Sequence, residues 1–480
     1  MGFKDVRSFL QKLDEEGQLI KYDQKVKLSP EWYDMVRALP RMGQYGPALI
    51  TDKLEGYTGQ RIAVGLQASA ANCAIMLGLP KDTSLKDQIA HVSDLWDKIG
   101  DGSGGKLKWV DKAPSQEVIV EGDDLNLLEL LPLHRVYPLD GGFYLPKSCI
   151  VTKSPYYPDD VDRENVGWYR CQVVGPREIA IHIGPLHDAG EHIGQAAELK
   201  QNLPIAICLG NDPLLELMSS TSLRKNESEY KFAAAMGDFE YELTKATLYD
   251  LDVPANSEFI IEGEILPDCK VPEGPFGEFP GTYSGVSEAC KMVVKRVTHR
   301  VDPIYVGICL AGISEKESEN ILALNTSSGL FRLLKSEMPD VKAVNAMYQH
   351  GMTTIVSAKP HCPGFAKTIA MRLASTPHGT DYCRNIIIVD DEVDPFNLNE
   401  VMWVLSTRVR GSEDIIVIPG TPGLPLLPAD MGIRIGRKLI IDATTPIDPD
   451  PFRPSKLIRP YSESVDLREK IAALQRELKK

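Results

Sequence analysis

The chain has 480 residues, 43% hydrophobic and 25% charged, the balance of a globular protein too long for one simple core, so about two or three domains are expected. A formal charge of −14 argues against a nucleic-acid scaffold, because holding a polyanion requires clustered Lys and Arg. No apolar run approaches the roughly 20 residues that cross a bilayer, and the start, MGFKDVRSFLQKLDEEGQL, has no signal-peptide core, so a cytoplasmic location with no membrane partner is expected.

Residues 4–15 place Val6, Phe9, Leu10 and Leu13 at three-to-four spacing, which predicts an opening amphipathic helix. A mixed region runs to about residue 100. Asp101–Gly105 (DGSGG) then reads as a flexible turn and a plausible boundary; no strand precedes it and no Lys-Ser/Thr closes it, so a phosphate loop is not indicated. From 116 to 300, EVIVEG, KSCIVTK, CQVVG, EIAIHIG, EFIIEGEIL and CKMVVKRVTHRV are β-branched runs separated by turn residues. They predict a β-barrel or sandwich, interrupted by one helix near 188–201. Beyond 301, TTIVS, NIIIVD and DIIVIPG alternate with helical segments such as Leu398–Leu405, the pattern of an α/β layer. Asp390, Asp391, Glu392 and Asp394 lack the glycine and twelfth-position glutamate of an EF-hand and read as a solvated strand end. Leu467, Ile471, Leu474 and Leu478 form one stripe over 464–480, a terminal helix expected to dock on its own domain or on a sister subunit. The fold class is therefore α/β in the broad sense, a multidomain α+β chain divided at 1–115, 116–300 and 301–480. Nine cysteines, none in a C-x-x-C pair, read as free buried thiols.

Three segments put polar residues in apolar, turn-rich context: NVGWYRCQVVG (165–175), PLHD (185–188) with SEY (228–230), and EGPFGEFPGTYSG (273–285). Gly-Pro-Phe-Gly between Glu273 and Glu278 forces a turn that can point both carboxylates into one pocket. Two close, buried carboxylates raise each other's pKa, leaving one as a general acid; a surface loop is the alternative. An inward Arg170 suits a bidentate grip on a carboxylate or phosphate, or a structural ion pair. Asn165, His187 and Glu229 supply an amide, an imidazole and a carboxylate, a set suited to Mn²⁺ or Mg²⁺, although their separation carries no ligand-spacing signature.

These segments, with GND, VNAMYQHG, GFAK, STPHG, VDDEVDPFNLNEVMW and KLIIDATTP, occur in an order that resembles the UbiD family of flavin-dependent decarboxylases over nearly the whole chain. The likeness is greatest to the branch acting on hydroxybenzoates such as vanillate and 4-hydroxybenzoate. The resemblance implies a central split β-barrel that binds prenylated FMN, with a divalent metal, usually manganese, and a potassium ion. It implies Asn165, His187 and Glu229 as metal ligands, and Arg170, Glu273 and Glu278 as the catalytic trio. Tyr169, Arg170, Ser219, Ser220, Thr221, Ser222 and Lys367 join the ligands as cofactor contacts. Further implications are a flavin prenyltransferase as cofactor supplier, a small aromatic acid with CO₂ or bicarbonate as substrates, and a homo-oligomer (dimer or hexamer) with room for accessory subunits. The stretch 311–326 departs from the vanillate enzymes. It keeps open a carboxylase subunit acting on phenylphosphate, beside a polyprenyl-hydroxybenzoate decarboxylase and a non-catalytic flavin-binding or interaction subunit.

Overall fold

The computed structural model describes residues 2–447 except 30, 186, 222, 225–226, 311, 313–316, 349, 425 and 431–434, together with 470 and 474–477. Val6–Glu15 is a helix capped by Asp5, whose side chain accepts from the Ser8 amide, and its buried stripe is Val6, Phe9, Leu10 and Leu13. It lies beside a small mixed sheet of Leu19–Lys21, Ala48–Thr51 and Arg61–Val64. The sheet's fourth strand is Ile304–Val306, parallel to Arg61–Val64. Leu107–Trp109 likewise pairs far from its sequence neighbours, parallel to Tyr241–Lys245. Three-residue strands carry too little alternation to be paired from sequence, and these two tie the first region to the start of the last and to the middle of the chain respectively.

Among the described residues the central sheet has nine strands. Its path runs from Phe143–Leu145 through Arg170–Gly175, Glu178–His182, Ser287–His299, Phe259–Glu273, Leu203–Leu209 and Cys149–Lys153 to Glu164–Trp168; Val118–Glu121 adds beside Ser287–His299. Glu164–Trp168 and Arg170–Gly175 lie near opposite ends of that path, yet only Tyr169 separates them in the chain. A sheet whose ends share one continuous segment must curl, and it forms a half-barrel split at Tyr169. Successive residues alternate between two cores. Ile150, Ile205, Ile207 and Ile261 enter one; Val151, Ala206, Cys208 and Ile260 enter the other, with Leu214, Leu215, Tyr230 and Phe232 from the covering helices. Both faces are packed, which is why the strands read as nearly continuous apolar runs.

The helical run Glu317–Leu322, Ala323–Ser327 and Ser328–Glu337 follows, its middle five residues in π geometry. It leads to a sheet ordered Val341–Met347, Gly351–Ala358, Asn385–Asp390, Ile435–Ala443, Ile415–Pro422, with Phe365–Ala374 and Leu398–Arg408 in the crossovers. Asp390 is not a solvated strand end. It is buried, pairs with Arg408 and accepts from the Thr445 amide at 2.9 Å. Asp101–Gly105 is a turn but not a loose one: a Cβ on Gly102 would meet the Phe232 ring at 2.5 Å, and one on Gly105 the Lys231 carbonyl at 2.0 Å. These glycines permit close approach to the helix Glu229–Gly237 rather than freedom. The expected terminal helix over 464–480 lies outside the described residues, except Lys470 and 474–477, which are helical and exposed. All nine cysteines are free, and only Cys362 is exposed. Among the described residues no helix is long and apolar enough to cross a membrane.

Candidate active site

Arg170 is the first residue after the break at Tyr169, and Glu273 is the last of the strand Phe259–Glu273. Ser287 sits opposite Glu273 in the register, so 274–286 connects two paired strands. Gly274 has φ of 106°, and a Cβ there would come within 2.5 Å of the Gly285 carbonyl. The Glu278 amide donates to the Thr282 carbonyl and the Ser284 amide to the Phe276 carbonyl, at 2.9 and 2.8 Å, so the connection holds itself closed. Arg170 Nη2 donates to Glu273 Oε2 at 2.6 Å, and Nη1 donates to Glu278 Oε1. Glu273 is wholly buried and Glu278 is 7% exposed.

The two carboxylates expected to repel each other thus have a guanidinium between them. Burial is the chief cause that pushes the Glu278 carboxyl up; Arg170 opposes the rise and Glu273 adds to it. Arg170 Nε is buried with no partner. Three further groups surround the trio. The Tyr144 hydroxyl donates to Glu273 Oε1 at 2.8 Å, and its ring packs on Phe276 with centroids 4.4 Å apart. Gln172 Oε1 accepts from the Gly274 amide at 2.9 Å. His182, opposite Arg170 in the register, has Nδ1 3.6 Å from Glu273 Oε2. Burial lowers the His182 pKa, and the Arg170 charge lowers it further. Sequence reasoning missed all three: strand pairing brings Tyr144 and His182 to the trio, while Gln172 shares the strand and face of Arg170, an alternation that the sequence did carry.

The other candidates gather on the far side of Tyr169. Asn165 lies on the strand Glu164–Trp168, and His187 caps the helix Asp188–Glu198. Glu229 opens the helix Glu229–Gly237, and its Oε2 accepts from the Val166 amide at 3.3 Å. The Tyr169 ring packs on the His187 ring at 5.6 Å, and its electrostatic neighbours include Asn165, Asp188 and Glu229. Gly167 makes room for it, since a Cβ there would lie 2.6 Å from the Tyr169 ring. A cleft of about 480 Å³, including space open to solvent, is lined by Asn165, by the acids Asp162, Glu164, Asp188, Glu191, Glu227 and Glu229, and by Arg163 and Arg224. Burial pushes Glu229 up to about 8, with Asp188 and Glu227 adding to the rise. No ion pair among the described residues engages it, and the buried Asn165 Nδ2 has no partner. A buried acid without a counter-charge, sharing a cleft with the Asn165 amide, fits a hard-to-borderline divalent cation, and Tyr169 connects this cleft to the His187 ring. Among the described residues no three His, Cys, Asp or Glu side chains alone form a metal cage, so a site here would draw on other donors, of which the Asn165 amide is one.

Ser219 ends the helix Pro213–Ser219 and lies 3.1 Å from Cys149 Sγ, which also accepts from Trp168 Nε1, so this helix end abuts the strand of Asn165. The Ser220 and Thr221 hydroxyls turn back to the Leu217 carbonyl at 2.9 and 2.8 Å. Ser222 lies outside the described residues. Lys367 stands apart on the helix Phe365–Ala374, where it donates to the Glu413 carbonyl at 2.9 Å.

Residues 10–92, 108–313 and 319–443 match in turn the N-terminal, Rift-related and C-terminal domains of UbiD, the 3-octaprenyl-4-hydroxybenzoate carboxy-lyase. The phenolic acid decarboxylase of Sedimentibacter hydroxybenzoicus is 42% identical over 475 residues, 98% of each chain. The chain belongs to the UbiD family. As a UbiD-family protein it is an enzyme of the carboxy-lyase class, which sets aside the non-catalytic alternative. The closed form of vanillic acid decarboxylase (VdcCD) from Sedimentibacter hydroxybenzoicus has a TM-score of 0.86 at 42% identity, covering 99% of each chain. The UbiD-class enzyme HmfF from Pelotomaculum thermopropionicum, in complex with FMN, has a TM-score of 0.84 at 25% identity, covering 97% of this chain and 99% of its own. The UbiD fold is therefore shared along the whole chain, half-barrel included.

Proposed function

We propose that this UbiD enzyme decarboxylates a phenolic or closely related aromatic acid, with prenylated FMN held through a divalent metal, manganese or magnesium, and a potassium ion. The observation that carries the reading is the buried Arg170 clamp between Glu273 and Glu278, adjoining through Tyr169 a buried acid, Glu229, that pairs with no cationic side chain among the described residues. The near full-length likeness to phenolic and vanillic acid decarboxylases supports the substrate class, and the FMN complex of HmfF supports a flavin. Asn165, His187 and Glu229 would hold the metal, and Tyr169 and Ser219–Thr221 (with Ser222) would line the flavin; Lys367, held apart on the Glu413 carbonyl, would have to leave that bond to approach its phosphate.

When bound, the prenylated flavin supplies the electron sink that a ring carbon losing CO₂ requires and that amino-acid side chains lack. The protein supplies orientation and the proton. Arg170 keeps Nε as an unused donor for the substrate carboxylate. Glu278 gives the ring carbon the proton that replaces CO₂, its raised pKa keeping that proton available. Glu273, anchored by Tyr144, holds Arg170 in place. Because loss of CO₂ from phenolic acids is nearly balanced, excess bicarbonate drives the reverse reaction.

The test is holoprotein made with a flavin prenyltransferase and assayed without oxygen on hydroxybenzoates, catechols, gallate and phenylphosphate with bicarbonate. CO₂ release from a phenolic acid is expected. Turnover of phenylphosphate alone would replace this reading with the carboxylase one. The Sedimentibacter enzyme is a two-component VdcCD, so the reading includes a homo-oligomer that takes an accessory chain, checked by copurification.

A further inference from the structure

We infer that Asn325 is a positioning residue for the cation end of the cofactor site, acting through the turn Ser219–Thr221; the inference rests on the flavin-dependent reading above. The helical run from Glu317 changes to π geometry over Ala323–Ser327, all buried. A π segment gives up regular hydrogen bonding and recurs at functional sites. Here it brings Asn325 to the C-terminal end of Pro213–Ser219. Asn325 Nδ2 donates to the Leu217 carbonyl at 3.2 Å and to Ser220 Oγ at 2.7 Å. Asn325 is 3% exposed, and its Oδ1 is buried with no partner.

The Leu217 carbonyl also accepts the Ser220 and Thr221 hydroxyls, so it is fully engaged. The next two carbonyls, of Ser219 and Ser220, accept no hydrogen bond from the described residues. Last-turn carbonyls lack intrahelical donors, and carbonyls to which none of the described residues donates are hard oxygens of the kind a monovalent cation binds. The same two helices are locked a second time: Lys147 Nζ lies 3.2 Å from Glu216 Oε2 and 3.0 Å from Glu317 Oε1, all buried. With that end anchored, the Asn325 amide sets where the turn presents its carbonyls.

The experiment reads flavin retained after desalting, by absorbance, in protein made with a flavin prenyltransferase. Retention is titrated against potassium at fixed manganese, and against manganese at fixed potassium. In Asn325→Ala the potassium midpoint should rise about tenfold, the scale of one lost hydrogen bond, while the manganese midpoint stays put. Asn325→Leu removes both amide hydrogen bonds without adding charge, so it should behave like Asn325→Ala; wild-type potassium dependence in Asn325→Leu overturns the inference. Ser220→Ala removes the same bond from the other partner and should shift the midpoint likewise, which keeps the test decisive if Asn325 variants do not fold. An unmoved potassium midpoint, or both midpoints moving together, overturns the positioning role. Wild-type protein that holds flavin without potassium dependence overturns it too. Wild-type protein that holds no flavin overturns the flavin reading itself.

Discussion

At Arg170 two carboxylates share one guanidinium, and their surroundings separate their roles. Glu273 is wholly buried and held by Arg170 and by the Tyr144 hydroxyl; Glu278 is held by Arg170 and the Phe279 backbone amide, and its pKa is raised. Glu278→Gln is expected to keep the flavin and to lose about 10²–10⁴-fold in turnover, the usual worth of a positioned general acid. Full activity in that variant would remove Glu278 from the proton-donor role. The pH dependence has a definite sign. A carboxyl whose folded pKa is raised above the ordinary 4.5 stays protonated to higher pH, so kcat/KM holds on the acid side and falls as pH passes the raised value. The stability share of that group runs the same way, diminishing as pH climbs from about 4.5 toward the raised value. A kcat/KM profile with no alkaline limb, or a limb that survives in Glu278→Gln, would contradict this. Tyr144→Phe removes a donor to Glu273 and should cost about 1 kcal/mol in stability and about tenfold in kcat, read by melting and steady-state kinetics.

The element that organises both halves of the site is the strand broken at Tyr169. Residues before the break face the acidic cleft, and Arg170 after it meets the glutamates. Gly167 lets the Tyr169 ring fold back over its own strand toward His187. Gly167→Ala is therefore expected to displace Tyr169 and to weaken manganese-dependent flavin retention by about tenfold, while leaving the rest of the half-barrel folded. Equal retention in that variant, measured after desalting, would show that the ring has no part in holding the set together.

Across the molecule, a buried ionic knot joins parts of the chain far apart in sequence. Lys147 meets Glu216, Glu317 and the Gln67 side-chain oxygen, and Glu317 also accepts from the Gln67 backbone N–H at 3.0 Å. Burial alone would lower the Lys147 pKa, but the two carboxylates outweigh it and keep the ammonium charged. Burial pushes Glu216 up to about 7, with Lys147 opposing. Removing the cation leaves two acids buried together, so Lys147→Met should cost roughly 3–5 kcal/mol and lower the Tm clearly at neutral pH. Adding Glu216→Gln and Glu317→Gln should recover part of that loss. A Tm unmoved by Lys147→Met would mean the knot contributes nothing to holding these segments together.

What the sequence determined by itself was local or co-linear. The buried stripe of the first helix, the β-branched runs of the middle region and the later alternation follow periods of a few residues, and physics ties those periods to faces. The motif order from NVGWYR to KLIIDATTP carried the family, although single residues such as Arg170 read equally well as structural. Tertiary structure decided which side chains meet. Glu273 and Glu278 lie 103 and 108 residues beyond Arg170, and Tyr144, His182 and Asn325 reach the site through strand register, closure at Tyr169 and a π turn. None of these leaves a local period. The same holds where the reading changed: glycines at 101–105 signal either freedom or close approach, and Phe232 decides for approach. Asp390 looks like any acidic strand end until Arg408, 18 residues on, is folded against it. Spacing specifies faces, whereas contacts between faces depend on long-range pairing that a single chain read in order does not display.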